Sequence, residues 1–285
     1  MDARAYTTKF QASGKSLPGE KLSASLLVTP VSFMYALSTN GYKNVFELAH
    51  LTLDKSPNTR GDNASSVSYL IHNFMLHQKK LDKIHVAILN SEFTMAPEAF
   101  ALDREMKPLL QFVTGAEQNK RSQKHHLNQL DFFYGVDTEL ATSIERLFPN
   151  VSIRHAGAIN ISLLFSHHTL ALANIFLNVS EGFIELAARE NKNLLFYNIF
   201  SYSTNEDILY YLLFMMEQFN LNPIQVRLAI AGERPVQDEL FVSIKKYIKN
   251  VNFCVHDKSI HLGEGLSSLP DHHYFTLLNQ HLCEL

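Results

Sequence analysis

Apolar residues along this chain fall into two periods, and the same succession of periods occurs twice. Leu26–Leu37 and Ile175–Leu186 superpose without a gap at a spacing of 149 residues, which also carries Lys43-Asn44 onto Lys192-Asn193 and Val45–Leu53 onto Leu194–Tyr202. Each copy predicts three short strands rich in β-branched and aromatic residues. Thr39-Asn-Gly41 supplies a turn in the first copy, with Gly41 free to take positive φ, and Arg189-Glu-Asn191 stands at the matching place in the second. A helix follows in both. Val67, Leu70, Ile71 and Phe74 form one apolar stripe, whereas Ile208–Met216 is apolar all round and predicts a helix buried on most sides. Ser203 and Glu206 are spaced as a capping box at its start, and Asn222-Pro223 is read as its stop.

A strand comes next in each copy, Ile84–Leu89 and Ile224–Ile230. Pro97 and Pro235 are then read as opening helices, since proline suits the first helical turn. Leu240, Ile244, Tyr247, Ile248 and Val251 predict one helical face. Behind the first copy lie a strand at Leu130–Tyr134, a helix at Thr138–Leu147, a strand at Val151–Ile153 and a helix at Ile159–Phe165. Behind the second lie a strand at Phe253–Val255 and a closing helix opened by Pro270. The expected organisation is a polar N-terminal segment (1–23), a first lobe (24–167) and a second lobe (168–285), with the boundary near Ser166-His-His168.

Composition narrows the class. The 285 residues are 46% hydrophobic and 19% charged, enough apolar content to build full cores. A formal net charge of −3 gives no reason to expect a polyanion partner. Cys254 and Cys283, the two cysteines, are too few for a disulfide framework and read as buried reduced thiols. The first residues lack the apolar core of a secretory signal, and no apolar run is long enough to span a bilayer. The expectation is a cytoplasmic protein with no nucleic-acid partner and no membrane span.

Several motifs have an ordinary reading. The pairs His125-His126, His167-His168 and His272-His273 point about 100° apart if helical, so they do not chelate one metal. No metal site is expected. The basic stretch Asn119–His126 is read as a solvated loop. Glu206-Asp207 fits the positive end of a helix better than catalysis. The aromatic run Phe196–Tyr202 is read either as a strand with one face in the core or as a partner-binding edge strand, and Asn198 within it requires a hydrogen-bond partner if buried.

Three segments carry a family resemblance. Ser91–Phe100 resembles an F-T-hydrophobic-x-P-x-x-F stretch. Asn193–Phe200, running on through Thr204–Tyr211, resembles a Phe-Tyr-Asn-x-Phe signature followed by Glu-Asp-hydrophobic-x-Tyr. The third segment is Leu228–Glu233. The chain, over residues 24–285, is similar to an uncharacterised bacterial family of unknown function. The resemblance implies an α/β, duplicated actin-like ATPase (ribonuclease H-like) fold, two lobes each with a mixed sheet flanked by helices.

That fold implies ATP between the lobes, held by a tight Asp-x-Gly hairpin from each. Here the first hairpin is Thr29-Pro-Val-Ser32, without Asp or Gly, and Pro30 has no N–H to offer. The second is Asn178-Val-Ser-Glu-Gly182, where Asn178 stands at the Asp position and brings no charge to Mg²⁺. Only Ala231-Gly232 remains of the glycine-rich adenosine motif. These departures argue against ATP hydrolysis, and no catalytic residue and no cofactor is expected. The leading expectation is a non-catalytic scaffold that binds another protein. The alternative is a nucleotide-binding ATPase or sugar-kinase-like enzyme with degenerate loops, whose ATP and Mg²⁺ would require Thr29, Ser32, Asn178, Ser180, Gly182 and Gly232 to line one cleft.

Overall fold

The computed structural model describes residues 6–14, 19–53, 63–74, 76–98, 103–115, 120–127, 129–149, 151–166, 170 and 174–283. The pair His167-His168 therefore lies outside the described residues, as do Asn119 and Phe100. Along the chain run β1 (Tyr6–Ser13), β2 (Leu22–Val28), β3 (Ser32–Thr39), β4 (Asn44–Leu53), α1 (Asn63–Asn73), β5 (Leu81–Ile88), β6 (Phe93–Pro97), α2 (Asp103–Thr114), β7 (Lys120–Leu127), β8 (Leu130–Asp137), α3 (Thr138–Leu147), β9 (Ile153–His155) and α4 (Ala156–Ser166). Then follow β10 (Ile175–Ser180), β11 (Phe183–Glu190), β12 (Asn193–Ser201), α5 (Asn205–Gln218), β13 (Arg227–Gly232), α6 (Glu239–Tyr247), β14 (Asn250–Phe253), β15 (His261–Leu262) and α7 (Phe275–Asn279).

The chain forms two compact units. The first comprises residues 1–159, 258–268 and 280–285, and the second comprises 160–257 and 269–279. The first holds a seven-stranded sheet in the order β1-β4-β3-β2-β5-β9, with β15 also paired to β4, and a three-stranded sheet β6-β8-β7. The second holds a five-stranded sheet, β12-β11-β10-β13-β14. In both large sheets a run of antiparallel strands adjoins a parallel one: β2 pairs β5, and β10 pairs β13. β3 is buried along its whole length and β2 nearly so, which is why Leu26–Val28 and Phe33–Leu37 within them read as continuous apolar runs. In the second unit Leu177, Ile184, Ile208, Leu212, Ile230 and Phe241 are among the side chains of a continuous apolar core.

The predicted turn at Thr39-Asn-Gly41 is present. Asn40, Gly41 and Tyr42 all take positive φ (52°, 62° and 74°), and Asn191 does the same (55°) in the second copy. The gapless match, however, slips at the first hairpin. It would set Pro30-Val31 against Val179-Ser180, but the pairing registers centre the second hairpin on Glu181-Gly182, two residues later. Strands tolerate such a slip in sequence because their period of two preserves which face is apolar.

Other expectations are corrected. The basic stretch is not a solvated loop over Lys120–His126, since Lys120–Leu127 is strand β7, paired with β8. Its charges are neutralised locally: Lys120 to Glu92 (3.1 Å), Arg121 to Glu145 (2.8 Å) and Lys124 to Asp131 (3.5 Å). Pro97 is the last residue of β6, an edge strand, where a missing N–H is tolerated. Glu98 directly after it is in a 3₁₀ turn, and the rest of the helix read there, through Phe100, lies outside the described residues. Pro235 does not open α6, because Asp238 caps it by accepting from Leu240 N. Val251 belongs to β14, not to that helix. The capping box lies one residue later than read, at Thr204 and Asp207. Thr204 Oγ1 accepts from Asp207 N, and the Asp207 carboxylate accepts from Ser203 N and Thr204 N at 2.9 Å each, which holds it below the usual carboxylate range. α5 is not buried on most sides, for Tyr210 and Phe214 are exposed. Cys254 and Cys283 are buried free thiols, as expected.

His155 joins the two sheets of the first unit. Its ring lies 5.0–5.6 Å from those of Phe93, Phe132 and Tyr134. Nδ1 accepts from Gly157 N (3.0 Å), and Nε2 donates to the Asn90 carbonyl (3.0 Å). Burial lowers its pKa to about 3, and His85 and His125 are both lowered to about 4, chiefly by burial. A folded pKa below the unfolded one gives stability that is complete above about pH 6.5 and is lost as pH falls toward 3. Chemical denaturation at pH 7.5 and pH 5 is predicted to show a loss of about 2 kcal/mol from His155 alone. The His155→Gln variant has a correspondingly flatter pH dependence.

Candidate functional site

The first hairpin, between β2 and β3, satisfies itself. Thr29 Oγ1 accepts from Ser32 N (2.9 Å) and Val31 N (3.2 Å), and lies 2.8 Å from Ser32 Oγ. Thr29 N donates to the Ser32 carbonyl (2.9 Å). The N–H groups that a phosphate would need at this turn are thus engaged by the chain, and Pro30 has none. Thr29 and Ser32 are themselves buried.

In the second unit, Asn178, Ser180, Gly182 and Gly232 gather at one end of the sheet. Asn178 lies within β10 opposite Ala231, and Val179 lies opposite Gly232. Gly232 has φ 117°, and a Cβ there would fall 2.1 Å from the Val179 carbonyl oxygen, so only glycine fits. Gly182, at φ 76°, forms the β10–β11 turn with open space beside it. Ser180 contributes its carbonyl to the Tyr202 hydroxyl (2.8 Å). Thr29 and Ser32 belong to the first unit and these four residues to the second.

The side chain of Asn178 is committed elsewhere. Its Nδ2 donates to Glu185 Oε2 (2.8 Å). Glu185 is buried, and its Oε1 also accepts from Asn160 Nδ2 (2.9 Å) and the Tyr197 hydroxyl (2.8 Å). Asn160 Oδ1 in turn accepts from Thr276 Oγ1 (2.8 Å). Burial raises the Glu185 pKa, while the three donors pull against it, and burial raises that of Tyr197. Sequence reasoning missed this network. A glutamate in Phe-Ile-Glu-Leu-Ala reads as one polar position in an apolar strand. Parity gives no signal, because Phe183 and Ala187 on one side of β11 and Ile184 and Leu186 on the other are all buried.

β12 is one of the two edge strands of its sheet. Asn198 Oδ1 accepts from Ile199 N (2.9 Å), which answers its need for a partner. Over this edge α5 presents aromatic rings: Phe200 stacks on Tyr211 (4.3 Å), and Tyr210 stacks on Phe214 (5.6 Å) with exposures of 60% and 47%.

The chain belongs to the DUF3822 family of proteins of unknown function, whose model matches residues 18–251. No curated protein matches it in sequence. Its structure is similar to that of a Bacteroides thetaiotaomicron protein with an actin-like ATPase fold and unknown function, with a TM-score of 0.75 and 18% identity, covering 95% of this chain and 100% of that one. It is also similar to a chain of the PilM–PilN type IV pilus biogenesis complex (TM-score 0.61, 9% identity, 91% and 97% covered). A third likeness is to the ethanolamine utilization protein EutJ from Carboxydothermus hydrogenoformans (TM-score 0.50, 7% identity, 95% and 92% covered). The fold is the mixed α/β actin-like ATPase fold. No helix among the described residues is long and apolar enough to cross a membrane.

The Glu185 network predicts a contrast between two variants. Glu185→Leu strands three buried donors and is expected to cost roughly 3 kcal/mol or more. Glu185→Gln keeps an oxygen for Asn160 and Tyr197 and costs less than about 1.5 kcal/mol. Because the folded carboxyl has a raised pKa, the folded state holds the proton longer. The wild type therefore loses stability relative to Glu185→Gln as pH rises above the unfolded carboxyl range. Urea titrations of the three proteins across pH check both points.

Proposed function

We propose that this chain is a non-catalytic member of the actin-like fold that works by binding another protein. The observation that carries the reading is that the N–H groups of the first hairpin are engaged by its own Thr29, and that at the second the Asn178 side chain is committed to the interior. Val31 N and Ser32 N donate to Thr29 Oγ1, and the Asn178 amide donates to Glu185. A nucleotide would have to displace bonds already made, with no carboxylate at Asn178 to organise Mg²⁺. The alternative reading, an ATPase or sugar-kinase-like enzyme with degenerate loops, meets this obstacle at each hairpin.

The surface favoured for the partner is the β12 edge with the aromatic face of α5. β12 carries no charged residue and no proline over Asn193–Ser201, so little along it blocks pairing by an added strand. Exposed Tyr210 and Phe214 supply the large, rigid contact area common in binding hot spots. The similarity to PilM, seen in complex with PilN, agrees with a binding role for this fold.

A photo-crosslinking side chain at Tyr210 tests this in cells, with the equally exposed Tyr247 on α6 as control. One adduct of defined mass at position 210, diminished by Phe214→Ser and weaker at 247, is the expected result. Indistinguishable labelling at the two positions, or none at either, overturns the assignment of this face.

A further inference from the structure

The first unit buries a cation with no anion beside it among the described residues. Arg154 on β9 is 3% exposed. Its Nη1 donates to the Cys283 carbonyl (2.7 Å), while Nε and Nη2 make no hydrogen bond among the described residues. The groups that act on it electrostatically are Cys283, Tyr42 and Tyr134, none of them a carboxylate. Guanidinium does not shed its proton in proteins, so the charge persists. A buried charge left in this state is strongly unfavourable until an acceptor is supplied. The two unpaired donors also form one side of the guanidinium, the fork that meets two oxygens of a carboxylate or phosphate at once.

Arg154 lines a cavity of about 910 Å³ built from the first unit. Lys83 and His85 line it from alternate positions of β5, and Lys80 lines it just before that strand. Lys80 and Lys83 are exposed and hold no ion pair among the described residues. Two neighbouring cations, by contrast, are answered, Lys79 by Glu47 (3.7 Å) and Lys21 by the lining Asp82 (3.2 Å). Tyr42, also lining the cavity, is buried with its hydroxyl unpartnered among the described residues, and its φ of 74° is strained for so bulky a residue. Its ring lies between His85 (4.8 Å) and His281 (5.1 Å), so the strained backbone delivers a hydroxyl donor to the same cavity.

We infer that this cavity binds a small-molecule oxyanion, a phosphate or carboxylate group, with the Nε/Nη2 fork of Arg154 and the Tyr42 hydroxyl as its receptor and Lys80 and Lys83 as its rim. The site is independent of the hairpins and of the β12 edge. The ligand supplies the missing counter-charge, and its binding is therefore coupled to the stability of β9 and the β5 edge of the sheet.

The test is calorimetric and thermal titration of the full chain with inorganic phosphate, pyrophosphate and citrate at constant ionic strength. Saturable one-to-one binding of a phosphate species or of citrate is expected, and which of the two binds fixes the class. Lys80→Ala with Lys83→Ala alters only exposed side chains and is expected to weaken binding about tenfold or more. Arg154→Met is expected to abolish the response while leaving the ligand-free protein as stable as the wild type or more so, which an arginine kept for structure alone would not do. No saturable binding of any of the three anions up to about 10 mM, or binding unchanged in the lysine variant, overturns the proposal.

Discussion

A single buried carboxyl, Glu185, organises the second unit. It accepts from α4 through Asn160, from β10 through Asn178 and from β12 through Tyr197, and Thr276 of α7 joins by way of Asn160. Apolar contacts tolerate small slides between elements. Three hydrogen bonds to one carboxyl do not, because a buried group that loses a partner keeps its desolvation cost. The network thereby fixes the placement of four elements around β11. It also decides the chemistry of the β10–β11 hairpin, since the amide at the expected Asp position serves the interior.

The first unit handles a buried charge in the opposite way. Arg154 lies beside a cavity with two donors unanswered among the described residues, next to a tyrosine in the same condition. Glu185 is surrounded by neutral donors that leave its acceptors satisfied, so it reads as architecture. Arg154 is left needing an acceptor, so it reads as a receptor. The contrast matters because both are charged residues buried within strands, where sequence alone does not tell one from the other.

Much of the fold was legible in the pattern of residues. The helix Thr138–Leu147 has the bounds read from its periodicity, and the Asn40-Gly41 turn lies where small, flexible residues place it. The doubled strand order was legible because apolar period survives where identity does not. What failed depended on partners distant in sequence. β7 looked like a loop because its lysines and arginine read as solvated, whereas Glu92, Asp131 and Glu145 receive them. The two-residue slip between the hairpins was hidden because a shift by two keeps every side chain on its face. Of the candidate site, the loops themselves were found, and Thr29, Ser32, Asn178, Ser180, Gly182 and Gly232 all lie at hairpins or strand ends. That Thr29 would cap its own turn, and that Asn178 would turn to Glu185, required the third dimension.

The central claim, that the hairpins of this actin-like chain are closed to nucleotide, is tested most directly by isothermal calorimetry of the full chain with Mg·ATP and with ADP at millimolar concentration. The account predicts no saturable heat with either nucleotide. Saturable binding that disappears in Asn178→Ala, accompanied by release of phosphate from ATP, would contradict it.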